Sequence, residues 1–173
     1  FFTKLGYRVI LSDKSSRTIY EQGLETIPSD SLCYPAKMVH GHIINLINKG
    51  VTKIFYPCIP YNIKEDPTAD NNYNCPVVTS YSENIRANMK ILSEKNIEFL
   101  QPFLPLDNPE KMTKRLEEEL KNENLSTHDI AVAAKAAYNE LKKYKEDVQQ
   151  QGEYVLEYMK RTKTKGIVLT GRP

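Results

Sequence analysis

The sequence predicts an α/β protein: a small doubly wound parallel sheet, Rossmann-like, followed by a long helical segment. Three observations lead there. Short apolar, β-branched runs alternate with stretches of helical period through the first part of the chain. Nine of the ten prolines lie between Pro28 and Pro109 and none falls in residues 110–172, so loops punctuate the first part and helix fills the second. Finally, Ile167-Val168-Leu169 restarts a strand pattern after the helical stretch.

In order, residues 5–12 (LGYRVILS) place Val9-Ile10-Leu11 behind a glycine, as an inner strand of a covered sheet would. Residues 18–22 suit a short helix and residues 24–27 a second short strand. Pro35 opens a helix whose Val39, Ile43, Ile44 and Ile47 recur at helical spacing until Gly50 stops it, about four turns in all. Residues 51–57 (VTKIFYP) and 76–81 (PVVTSY) read as strands. Ser82 then caps a helix with Ile85, Met89 and Leu92 on one stripe, and residues 97–100 return as a strand. This alternation implies right-handed crossovers between parallel strands.

Asn108-Pro109-Glu110 starts a helix carrying Met112, Leu116 and Leu120. Ser126 and Asp129 form a capping-box pattern. Behind it, Ala134, Ala137, Leu141, Tyr144, Val148, Gln151 and Val155 alternate in steps of three and four, the seam of an antiparallel helical hairpin or short coiled coil. The simplest expectation is that this seam packs on the chain's own helices, with a partner interface as the alternative. The expected division is an α/β domain over residues 1–107, a helical segment over 108–165 leading to a further domain, and over 166–173 the first strand of a following α/β unit.

A length of 173 residues fits one domain at about 150 residues per domain, with a helical appendage. The 24 basic and 22 acidic residues give a formal charge of +2 without a basic cluster, which offers no support for nucleic-acid or membrane binding. The longest apolar runs are a few residues, too short for a membrane span. An opening Phe1-Phe2-Thr3 has no signal-peptide character and looks cut from a longer protein, and three widely spaced cysteines fit a reducing compartment. The cytoplasm is the expected location.

Chemistry centres on Cys33, Cys58 and Cys75, each with a proline within two positions and therefore in a kinked loop. In a parallel sheet, Cys33 precedes a helix N-terminus and Cys58 follows a strand, so both fall near the carboxyl edge where open α/β sheets bind ligands. Cys75, ahead of its predicted strand, starts at the opposite edge unless residues 59–74 double back. Core packing of small apolar side chains is the simpler explanation of three cysteines, with metal or cluster ligation as the alternative. Among ligands, zinc suits them less than an iron-sulfur cluster, because structural zinc sites use close C-x-x-C pairs whereas 24 and 16 residues intervene here. His40 and His42 sit two apart on one helix and cannot clamp one metal, so both read as surface or core-edge residues. Lys37, one turn after Cys33, reads as a solvated lysine or as a cation for an anionic ligand; Tyr34, Tyr56, Tyr61 and Tyr73 read equally as loop packing or as a shield around a cluster; Glu65, Asp66 and Asp70 read as a solvated loop rather than an oxygen-ligand metal site. No G-x-G-x-x-G, G-x-x-x-x-G-K-[ST] or H-E-x-x-H motif occurs, so dinucleotide, P-loop and zinc-hydrolase sites have no sequence support.

The stretch IPSDSLCYPAKMVHGHIINLINKGVTKIFYPCIPY, with NNYNCPVVTSY and IVLTGRP, resembles the CoA-substrate-specific enzyme activases related to 2-hydroxyglutaryl-CoA dehydratase, long proteins of anaerobic bacteria. The likeness covers essentially the whole chain, and residues 27–81 are its specific core. It implies a domain of an activase or 2-hydroxyacyl-CoA dehydratase-like system. In that system an ATPase activator delivers one electron to a cysteine-held four-iron four-sulfur cluster, initiating radical dehydration of an acyl-CoA. Cys33 and Cys58 match the cluster-cysteine positions, and Cys75 is a further candidate. The partners so implied are an ATPase activator module, a following dehydratase-like domain and an acyl-CoA substrate, and the chain alone would not be catalytically active. The alternative is a non-catalytic scaffold domain of the same large protein, its cysteines structural.

Overall fold

A computed structural model describes residues 1–169. Its elements are α1 (Arg17–Gly23), α2 (Tyr34–Asn48), β1 (Lys53–Phe55), α3 (Pro76–Asn88), α4 (Ile91–Glu94), β2 (Glu98–Leu100), α5 (Pro109–Glu119) and α6 (Thr127–Thr162). Strands β1 and β2 pair in parallel with Lys53 opposite Glu98 and Phe55 opposite Leu100. The ladder runs on past β1, since Tyr56 N–H donates to the Leu100 carbonyl and Cys58 N–H to that of Pro102, at 2.8 and 2.9 Å. Among the described residues the sheet therefore has two strands, a mixed α/β arrangement smaller than the doubly wound sheet expected.

Three expected strands take other forms. Phe1 to Gly6 make a helical turn closed by Gly6 in the left-handed region (φ 87°), with Gly6 N–H on the Thr3 carbonyl and Tyr7 N–H on that of Phe2. That is the Schellman bond pair. Beyond it, residues 8–12 join no ladder, and Val9 and Leu11 are 48% and 77% exposed. Side chains hold this strap to α2 instead: Ser12 and Ser15 hydroxyls meet the two ring nitrogens of His42, Asp13 pairs with Asn45, and Lys49 reaches the Leu11 carbonyl. Leu24–Thr26 is a 3-10 turn running straight on from α1.

The third case matters most for the site. PVVTSY opens α3, with Cys75 and not Ser82 at the N-cap. Pro76 is preset for a first helical turn, and Tyr81, Ser82, Ile85 and Met89 make a buried stripe at steps of one, three and four. A six-residue window of β-branched residues looked like a strand; the longer period decides, because burial on the α2 side outweighs local β-propensity.

The expected helices at Pro35, Asn108 and Ser126 form, the latter two with side-chain caps: the Asn108 side chain accepts from Lys111 N–H and Ser126 Oγ from Asp129 N–H. One core lies between α2, α3 and the sheet around Ala36, Ile43, Ile54, Tyr81, Ile85, Met89 and Leu92. A second gathers Leu104, Met112, Leu116, Leu120 and Ile130 with Phe1, Phe2, Leu5 and Phe55. The N-terminal turn and α5–α6 thus share one apolar interior. Residues 166–169 are exposed and outside any strand, and residues 170–173, the rest of the expected final strand, lie outside the described residues. No described helix is long and apolar enough to cross a membrane.

Candidate functional site

Topology brings the three cysteines to one edge. Helix α2 feeds β1 through a short connection and must run antiparallel to it, so its N-terminus, capped by Cys33, lies towards the carboxyl end of the sheet. Helix α3 precedes β2, which is parallel to β1, so its Cys75 N-cap falls at the same end. Cys58 follows β1 directly. The segment between Cys58 and Cys75 doubles back: Tyr61 and Tyr73 form an antiparallel bridge, Asn74 N–H donates to the Pro60 carbonyl and its amide to that of Ile59. That return sets Asn74, and with it the neighbouring Cys75, against Ile59 and Pro60 just after Cys58.

The three thiols differ in surroundings. Cys33 is exposed, Cys75 half-buried and Cys58 fully buried, and all are free. Neither Cys33 nor Cys75 caps its helix through the side chain, and each helix has proline in its first turn. The Cys58 sulfur lies 2.7 Å from Ser82 Oγ. Ser82 adjoins Tyr81, and the Cys75 cap is about 10 Å of helix rise before Ser82. Among the described residues, no three His, Cys, Asp or Glu side chains gather closely enough to hold a metal ion. The residues fit a cluster in donor type and in edge, while the side chains as they stand do not converge.

Sequence reasoning left His40 at the surface or core edge; the structure buries it completely. Its Nδ1 lies 2.9 Å from Thr26 Oγ1 and its Nε2 2.8 Å from the Tyr81 hydroxyl. Thr26 has one hydroxyl proton and gives it to the Gly23 carbonyl, so Thr26 accepts from Nδ1–H, and Nε2 accepts from Tyr81. Burial pushes the imidazole down to about 4 and the Tyr81 phenol up to about 12, with neighbouring Tyr56 and Cys33 adding to the latter. A neutral histidine thereby fixes Tyr81, and α3 carries that restraint to Ser82 and Cys58. The signal was present in the sequence: His40 follows Cys33 by two helical turns, which sets both on one face.

A pH prediction follows from His40. Its folded pKa is depressed, so between pH 6.5 and about 4 the unfolded chain binds the extra proton; the contribution is complete above pH 6.5 and lost as pH falls towards 4. Urea titrations should lose up to about 3 kcal/mol across that window in wild type beyond the loss in His40→Gln. Parallel curves for the two proteins would contradict it.

His42 is half-buried and serves the strap. Lys37 is half-buried, Tyr34 packs on Tyr20, and Tyr61 on Tyr73. Glu65 pairs with Lys145 of α6 at 2.6 Å. An apolar groove of about 490 Å³ lies between the strap and β1, lined by Tyr7, Val9, Leu46, Val51 and Phe55 and by none of the cysteines.

A protein-family model, the CoA enzyme activase uncharacterised domain, matches residues 1–173. The chain belongs to this family. No curated protein and no solved structure matches it. Within this activase domain, the stretch that carried the resemblance contains α2, β1 and the start of α3, the elements that present the cysteines.

Proposed function

We propose that this activase domain holds a four-iron four-sulfur cluster through Cys33, Cys58 and Cys75 and relays one electron within a larger activase or 2-hydroxyacyl-CoA dehydratase-like protein. The supporting observation is that three thiols from separate loops occupy one edge of the sheet, two of them as helix N-caps. The donor set is all sulfur, as such clusters require. When bound, the cluster supplies a site that takes up and releases one electron. The chain's own residues would do the rest. Cys58 would hold iron through its sulfur, with the Ser82 hydroxyl, 2.7 Å away, placed to donate a hydrogen bond to that sulfur. Tyr81, fixed by His40, keeps water from the inner side. The electron donor would be an ATPase activator module, and the acceptor a following dehydratase-like domain with its acyl-CoA.

A second reading has one observation in its favour: Cys58 is sealed and hydrogen-bonded, as a structural cysteine is. On that reading the domain is a scaffold and binds no metal. Anaerobic purification with iron and sulfide analysis separates the two. Iron and sulfide should accompany the wild-type domain and fall at least tenfold in Cys33→Ala/Cys58→Ala; equal iron in both would reject these ligands.

A further inference from the structure

Helix α6 spans 36 residues, about 54 Å, and only its first part is covered. Ile130, Ala133 and Ala134 are buried, and Tyr138 donates to the Leu106 carbonyl. Beyond Leu141 the seam positions turn outward without cover from any described residue: Tyr144 is 64% exposed, Val148 54% and Val155 45%. The expectation that this seam packs on the chain's own helices therefore fails after its first third. Tyr158 continues the three-four alternation, so positions 141, 144, 148, 151, 155 and 158 form one stripe. A repeat of 3.5 residues sustained along a helix is the pattern of two helices wound together.

We infer that the stripe Leu141, Tyr144, Val148, Gln151, Val155 and Tyr158 is a dimer interface on which α6 of a second copy of this chain packs antiparallel. Residue sizes and charges select the second copy and its direction. In antiparallel register, Leu141 faces Tyr158 of the second copy, Tyr144 faces Val155, and Val148 faces Gln151, so each large residue meets a smaller one and the pattern closes under a two-fold axis. The same register brings Glu140 within two positions of Arg161 of the second copy, opposite charges on the same flank of the seam. A parallel pair would instead stack Tyr144 on Tyr144 and claim Lys145, which Glu65 already engages. Gly152 adds an independent indication. It sits mid-helix, where glycine costs about 1 kcal/mol against alanine, and a Cβ there would meet nothing within the chain. Beside the two-fold axis its missing side chain lets the second backbone approach.

Sedimentation velocity on the purified chain over a concentration series tests this. The wild type should reach about twice its 19.9 kDa mass, and Val148→Glu/Val155→Glu should return it to the single-chain mass with unchanged far-ultraviolet circular dichroism, since both residues are exposed in one copy. Oxidised Leu141→Cys/Tyr158→Cys should give 141-to-158 links between chains. A wild type that stays monomeric, a dimer that survives the two glutamates, or 141-to-141 links would overturn the proposal; the first outcome would leave the stripe to a different partner.

Discussion

Gly41→Ala should unfold the cysteine edge from behind. Helices α1 and α2 cross backbone to backbone: a Cβ on Gly41 would overlap the Ile19 carbonyl, within 2.6 Å of its carbon, and one on Gly23 would lie 2.6 Å from the His40 carbonyl carbon. No side-chain movement relieves a collision with backbone, so the cost should be about 3 kcal/mol or more. Separation of α1 also withdraws Thr26 from His40, because Thr26 stands in the 3-10 turn that continues α1. Urea denaturation should show the stability loss, and the imidazole should titrate nearer 6.5 than the value of about 4 set by its present burial. A variant as stable as wild type would show that the two helices do not cross this closely.

Leu116→Ala carries the second large effect and tests how the chain divides. Leu116 is 1% exposed, and its core draws Leu104, Phe55 and the N-terminal phenylalanines as well as Ile130 of α6. Truncation should cost about 2–5 kcal/mol through lost burial and the cavity left behind. Because residues of the N-terminal turn, β1, α5 and α6 together fill that interior, the loss should appear as one earlier transition seen alike by near- and far-ultraviolet probes. Two separated transitions would mean that α5 and α6 fold as a unit apart from the α/β part.

How much of this was readable beforehand depended on the length of the signal. The helices at Pro35, Asn108 and Ser126 announce themselves because a proline or cap residue stands before several turns of period. The parallel pair β1 and β2 was legible from apolar runs bounded by helices. Residues 8–11 misled because a strand needs a partner row of amides as well as apolar side chains, and here the strap is held by His42, Asn45 and Lys49 instead. PVVTSY misled because its period shows only when Ile85 and Met89 are included. The same reading put Cys75 at the opposite edge unless residues 59–74 doubled back, and they do, through the Tyr61–Tyr73 bridge, leaving Cys75 as the N-cap of α3. Tertiary proximity is what the row of letters could not carry: Ser82 against Cys58 and Tyr81 against His40 are contacts across 24 and 41 positions.

The central claim is that three thiols at one sheet edge grip iron together. Mapping of alkylated cysteines by mass spectrometry, before and after anaerobic reconstitution with iron and sulfide, tests it most directly. Without iron, Cys33 and Cys75 should react readily and Cys58 slowly, as their exposure dictates. After reconstitution Cys33 and Cys75 should become protected together, and Cys58→Ala should expose both again. Labelling of Cys33 and Cys75 that is the same with and without iron would contradict the account.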